Sequence, residues 1–324
     1  MKAAIFDTLG LPEDVLQIKE IPLPEPEEGQ IRIKITCSNI NPSDIMFVQG
    51  LYGIRPQLPS GAGFEGVGVI DKCGTNVQLK EGIRVSFTGI GSWAEYIVIN
   101  ATDAIPVPDS IADEVACQLF VNPFAAFSLL HEANLQAGDF LLLTAGGSTF
   151  SQLVVQIAAQ KGIKTICTVR KDIQIEQLEK LGAFAVINTD KESLAKKVMA
   201  LTENKGVPVC MDAVGGELAG KALQCLKRGG KMLVYGMLSL KESLIHNGLM
   251  IFKNLKIEGF WLSSWLRDAD KQTIQSVAAE VIQAFSSQTL KVHVEKQYTI
   301  DEIKEAVKTA DSQGRKGKIL ISFK

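Results

Sequence analysis

Residues 140–144 (FLLLT) form an apolar run that leads into AGGSTFSQ (145–152) and on to a second apolar stretch, LVVQIAAQK (153–161). A strand, a small-residue turn and a helix in that order can bind phosphate. The first helical amides have no partners of their own, and a residue without a Cβ lets an anion approach the backbone. Gly147 is the candidate for that approach, with the hydroxyls of Ser148 and Thr149 as added donors. The frame departs from GxGxxG, because Ser151 or a neighbour stands where a third glycine would let helix and strand touch. A tight turn without a ligand is the competing reading. The next apolar run, 165–169 (TICTV), ends in Arg170 and Lys171. An acid at that place would take the ribose hydroxyls of NAD, whereas two cations suit the additional phosphate of NADP. NADPH is therefore the expected cofactor. The alternative is a solvated charge group partly neutralised by Asp172, which follows directly.

Little else in the chain has the chemistry of a site. Its six cysteines (Cys37, Cys73, Cys117, Cys167, Cys210, Cys225) form no CxxC pair, and only three histidines (His131, His246, His293) are present. Neither a disulfide scaffold nor a metal centre is expected. A serine hydrolase is poorly supported, since Ser148 lies outside a GxSxG elbow. The formal net charge of −2, without a Lys/Arg block, leaves no footprint for nucleic acid or an anionic membrane. No apolar run reaches the roughly 20 residues of a membrane span, and MKAAIFDTLG does not read as a signal peptide. A soluble, cytoplasmic protein is the expectation.

Positioning these residues takes two kinds of element. At about 150 residues per domain, 324 residues predict two domains. Residues 1–118 read as short β-runs broken by turns, with strands at 31–35, 66–71, 84–88 and 93–99. From about residue 119 strands alternate with helices, the strands falling at 140–144, 165–169, 185–187, 209–213, 231–235 and 255–260. Continuous apolar strands separated by helices predict a parallel sheet covered on both faces, and six of them make a doubly wound dinucleotide fold. A helix over 272–285, a strand over 292–298, a helix over 301–310 and a strand over 318–323 close the chain. This tail is expected to rejoin the first module.

Four motifs give the chain a resemblance over nearly its whole length to the medium-chain dehydrogenases/reductases. They are Asn41-Pro42-Ser43-Asp44, GAGFEGVG (61–68), the AGGSTFSQ turn and Gly317-Lys318-Ile319-Leu320. Within that superfamily INPSDIMFVQGLYG (40–53) and GFWLSSW (259–265) are most similar to the trans-2-enoyl thioester reductases, with quinone oxidoreductases as related members. The resemblance implies an α/β chain in which a doubly wound parallel Rossmann domain (121–261) is inserted into a mostly β GroES-like catalytic domain (1–120 and 262–324). Zinc members carry a Cys and a His where this chain has Asn41 and Phe64, so no zinc is expected. Asp44 and Glu65 are then expected to brace turns through backbone hydrogen bonds.

The implied reaction is NADPH-dependent reduction of the C2–C3 double bond of a 2-enoyl thioester, carried on CoA or acyl carrier protein. Hydride goes to the β-carbon, hydrogen-bond donors stabilise the enolate, and a proton goes to the α-carbon. Tyr52 occupies the family's proton-donor position; packing of its ring into a loop is the competing reading. Around the cofactor the resemblance places Asn41, Asn122, Tyr235, Gly236, Met237 and Lys318, with Phe260, Trp261 and Leu262 walling the pocket. Reduction of quinones or small enones on the same scaffold is one alternative; a non-catalytic NADPH-binding sensor is another. A homodimer is expected, with 231–238 near a sheet edge that pairs between subunits.

Overall fold

The ten-residue strand Gln30–Asn39 is the spine of the first unit. Its residues Ile31, Ile33 and Ile35 are buried in one core with Ile70, Val85 and Phe87. A computed structural model describes residues 1–312, 314–315 and 317–323. In it the spine pairs antiparallel with Glu65–Cys73, with register shifts near Ile33 and Cys37. Gly68 is required there, since a Cβ would stand 2.2 Å from the Lys34 carbonyl oxygen. The last three residues of the spine pair antiparallel with Lys318–Ser322 in the register Leu320 opposite Asn39. Carried two residues further, that register sets Lys318 beside Asn41. Sequence places these residues far apart, and strand pairing joins them.

The motif that follows the spine is a helix, Pro42–Gln49, where only turns were expected. Its signals are local. Pro42 opens it, Asp44 reaches back to the Asn41 N–H (2.6 Å), and Gly50 ends it at φ 74°. Tyr52 therefore sits in the turn just beyond a capped helix.

The second unit, Pro123–Val281, carries a six-stranded sheet in the order Ala185–Asn188, Lys164–Val169, Phe140–Leu143, Val207–Asp212, Leu226–Val234, Lys256–Gly259. Every pairing in it is parallel. This is the doubly wound order, and its ligand position lies where strand order reverses, at the carboxyl ends of Phe140–Leu143 and Val207–Asp212. Leu142, Ile166 and Cys210 in the strands and Val198 and Ala222 in the helices are fully buried together. Each buried Leu or Ile contributes about 1.5–3 kcal/mol.

The first unit comprises Met1–Asn122 and Ile282–Lys324. The return to it comes at Ile282, inside the helix Lys271–Ser286, instead of at 262. Contacts explain the later crossing: Trp265 Nε1 donates to Glu132 (3.3 Å), and Lys161 pairs with Glu280 (3.9 Å), which ties both helices after 261 to the dinucleotide unit. Among the described residues no helix is long and apolar enough to cross a membrane.

Candidate functional site

In the first unit the NPSD and GFEG motifs meet in a buried polar network. Glu65 is fully buried, and its carboxylate accepts from Asn39 Nδ2 (2.8 Å), Asn41 Nδ2 (2.8 Å) and the backbone N–H groups of Phe120 (3.1 Å) and Val121 (2.8 Å). Asn41 spends its whole amide inside this network. Nδ2 donates to Glu65 and to Asn39 Oδ1 (2.9 Å), while Oδ1 accepts from Asn122 Nδ2 (3.1 Å) and from the Lys318 ammonium. Lys318, itself buried, also donates to the Ile40 carbonyl (3.2 Å).

This changes two expected roles. Among the described residues Asn41 has every polar atom of its amide bonded, and Lys318 spends two of its three N–H donors on Asn41 and Ile40; through Asn41 they hold the half-buried Asn122. Glu65 does brace backbone as expected, and it also orients two amides. Burial of the cluster pushes the Asp44 carboxyl up to about 8 and the Lys318 ammonium down to about 8.

Tyr52 is held by an aromatic ladder. Its ring centroid lies 5.2 Å from Phe64, which is 5.1 Å from Phe47, which in turn is 5.8 Å from Phe6. Phe64 thus supports the candidate proton donor. The Tyr52 ring packs against the core while the residue remains half-buried.

In the second unit the turn after Phe140–Leu143 is built for close approach. A Cβ on Gly146 would stand 2.8 Å from Cys167 Cβ and 3.0 Å from the Thr168 carbonyl oxygen, so this glycine lets the turn lie on the neighbouring strand. A Cβ on Gly147 would meet only the flexible end of Gln174. Ser148 has a different role from the one expected. Its hydroxyl caps the helix Thr149–Gln160, accepting from Ser151 N (3.1 Å) and donating to Ser151 Oγ (3.1 Å), and is therefore not a free phosphate donor. Ser151, in the place of a third glycine, is buried and donates to the Thr144 carbonyl (3.3 Å). Where strand order reverses, Thr144 Oγ1 donates to the buried Asp212 (2.7 Å) and accepts from Ala213 N (2.9 Å), stapling the two central strands.

The remaining candidates spread along the carboxyl edge of this sheet. Arg170 and Lys171 are exposed and have no ion-pair partner among the described residues. Asp172 does not neutralise them: it accepts from Asn188 (2.6 Å) and from Lys191. The ring of Tyr235 lies 4.2 Å from Phe150, and its hydroxyl is buried on the side of Ser151. Gly236 passes so close to Ala213 that a Cβ would stand 2.8 Å from that carbonyl oxygen. Met237 and Trp261 are exposed, while Phe260 and Leu262 are half-buried, with Leu262 opening the helix Leu262–Asp268.

The Gly147 backbone beneath the movable end of Gln174, the helix amides of Thr149 and Phe150, which have no hydrogen-bond partner among the described residues, and the cations Arg170 and Lys171, which have no ion-pair partner among them, fit a dinucleotide phosphate. Among the described residues no group of three or more His, Cys, Asp or Glu side chains is gathered as a metal site.

Sequence reasoning passed over Asn39, Trp93, Thr144, Asp212, Gln174 and the Asn188–Lys191 pair. Trp93 is fully buried, donates to the Asn39 carbonyl (2.9 Å) and lies where a Cβ on Gly63 would fall, 2.4 Å away. The glycines of GAGFEG are a signal for such close packing.

Residues 27–109 match the family model described as alcohol dehydrogenase GroES-like domain, and residues 151–283 match the one described as zinc-binding dehydrogenase. The mitochondrial enoyl-acyl-carrier-protein reductase of Homo sapiens is 36% identical over 277 residues, covering 83% of this chain and 74% of that protein. The protein of the same description from Dictyostelium discoideum is 28% identical over 324 residues, 97% of this chain and 92% of that one. Among solved structures, a putative NADPH:quinone reductase of Bacillus thuringiensis superposes with a TM-score of 0.95 at 29% identity, over 100% of this chain and 99% of that one. The quinone oxidoreductase of Escherichia coli complexed with NADPH gives 0.93 at 26% identity, over 99% and 100%.

Proposed function

The chain belongs to the medium-chain dehydrogenase/reductase superfamily, and on that premise we propose that it is an NADPH-dependent oxidoreductase that reduces the C2–C3 double bond of 2-enoyl thioesters. The observation that carries the proposal is Tyr52, seated on Phe64 at the end of the aromatic ladder. The similarity to enoyl-acyl-carrier-protein reductases at 36% identity supports the substrate class.

Arg170 and Lys171 hold the adenosine 2′-phosphate, and Gly147 with the first amides of the helix Thr149–Gln160 holds the pyrophosphate. Gly236 brings the backbone near the ligand. Bound NADPH supplies a hydride. In the first unit the network of Glu65, Asn41 and Lys318 orients the Asn122 amide. The Tyr52 hydroxyl donates the proton that the α-carbon of the reduced thioester must gain.

A second reading, reduction of quinones or small enones, is favoured by the superposition on quinone reductases over the whole chain. The two separate in one assay: NADPH oxidation with a medium-chain 2-enoyl-CoA and with a benzoquinone. Thioester turnover is expected to dominate, and Tyr52→Phe to lower it about 100-fold while NADPH affinity stays within about twofold. Quinone turnover without thioester turnover would establish the second reading. NADPH binding without turnover of either would mark a sensor.

A further inference from the structure

The strand Lys164–Val169 ends beside Ala185–Asn188, with Val169 opposite Asn188 and Thr189 N donating to the Val169 carbonyl (2.9 Å). Beyond Val169 come two cations and then Asp172, the first residue of a 3-10 turn that ends at Gln174. An acid two residues from Arg170 would repel a 2′-phosphate and attract ribose hydroxyls. Each of its carboxylate oxygens is engaged elsewhere, one accepting from Asn188 Nδ2 (2.6 Å) and the other from the Lys191 ammonium, although the side chain stays half exposed. Asn188 is aimed by its own Oδ1, which accepts from Asp190 N (3.1 Å), so its amide presents N–H to Asp172. Lys191 leaves the same turn, its N–H bonded to the Asn188 carbonyl (3.1 Å). At the far end of the 3-10 turn Gln174 lies over Gly147, so one short turn joins the cation pair to the phosphate cradle.

We propose that Lys191 and Asn188 are specificity-determining positioning residues for NADPH, withholding Asp172 from the 2′-phosphate so that Arg170 and Lys171 meet it unopposed. The proposal rests on the NADPH reading above. A phosphate dianion near a freed carboxylate in water is repelled and salt weakens the repulsion, so the expected effects are several-fold and ionic-strength dependent. Lys191 touches no ligand in this account. It acts through Asp172.

The experiment is fluorescence titration of the full chain with NADPH, NADH and 2′,5′-ADP at low and high salt. The wild type is expected to prefer NADPH. Lys191→Ala should weaken NADPH and 2′,5′-ADP about fivefold at low salt and about twofold or less at 0.5 M salt, leaving NADH within about twofold. Lys191→Ala combined with Asp172→Asn should restore NADPH binding, and Lys191→Arg should preserve it. A Lys191→Ala variant that weakens NADPH and NADH equally, or neither, overturns the clamp while the NADPH reading stands. A wild type without preference for NADPH overturns both.

Discussion

Asp44 and Lys318 are two buried ionisable residues whose proton affinities have been drawn toward the same pH. Desolvation raises the Asp44 carboxyl to about 8 and lowers the Lys318 ammonium to about 8. Their unfolded values are about 3.9 and 10.4. Between about pH 4 and 8 the folded chain holds a proton on Asp44 that the unfolded chain has released, so this group's contribution falls as pH rises. From about 8 to 10.4 the unfolded chain holds a proton on Lys318 that the folded chain lacks, so stability climbs again. Asp44→Asn removes the first limb and keeps an acceptor for the Asn41 N–H. In urea melts from pH 5 to 8 the variant should gain on the wild type with a slope of at most about 1.4 kcal/mol per pH unit, and parallel profiles would refute it. The sequence named Asn41 and Lys318 from their motifs but could not show that each is spent on the other, because 277 residues separate them and only strand register brings them together. Tyr52, lying just beyond a locally capped helix, was easier to read.

At the scale of elements, the glycine pair shows how one turn divides its labour. Gly146 faces Cys167 and the backbone of Thr168, so Gly146→Ala must push a strand aside and should cost about 1–3 kcal/mol of stability. Gly147 faces only the end of the Gln174 side chain, which can move. Gly147→Ala should therefore melt within about 0.5 kcal/mol of the wild type yet bind NADPH at least about tenfold more weakly, since the methyl occupies the anion's approach. Thermal melts paired with NADPH titration test both, and a Gly147→Ala protein with intact affinity would remove the turn from the cofactor site. The central parallel strands Phe140–Leu143, Lys164–Val169 and Val207–Asp212 were legible because both their faces are buried, which writes continuous apolar runs, while the end strand Lys256–Gly259 is largely exposed. The helix Leu262–Asp268 was not: LSSWLRD carries no clear stripe, and what anchors it to the second unit is the bond from Trp265 to a distant Glu132. The domain limit slipped for the same reason.

Across the whole molecule, the order of strands fixes which sheet edges are left open, and in the second unit these are Ala185–Asn188 and Lys256–Gly259. The strand Leu226–Val234, which contains the start of the 231–238 segment expected near an edge, is paired on both sides, and it is Lys256–Gly259 beyond it that ends the sheet on that side and pairs on one side only. Near it in sequence, Leu244, Ile251 and Phe252 are 76%, 70% and 76% exposed, more apolar surface than an isolated soluble unit usually leaves in water. A second copy suits this edge. Antiparallel self-pairing about Ile257 sets Lys256 across from Glu258 of the other copy, and by symmetry Glu258 across from its Lys256, two favourable cross-strand pairs. A homodimer is thus expected by light scattering at micromolar concentration. Lys256→Glu alone opposes acid to acid and should yield monomer; adding Glu258→Lys restores opposite charges and should restore the dimer, whereas Phe252→Glu should remain monomeric with either. A monomeric wild type, or a charge-swapped double variant no more dimeric than Lys256→Glu, would show that this edge does not pair with itself in that register.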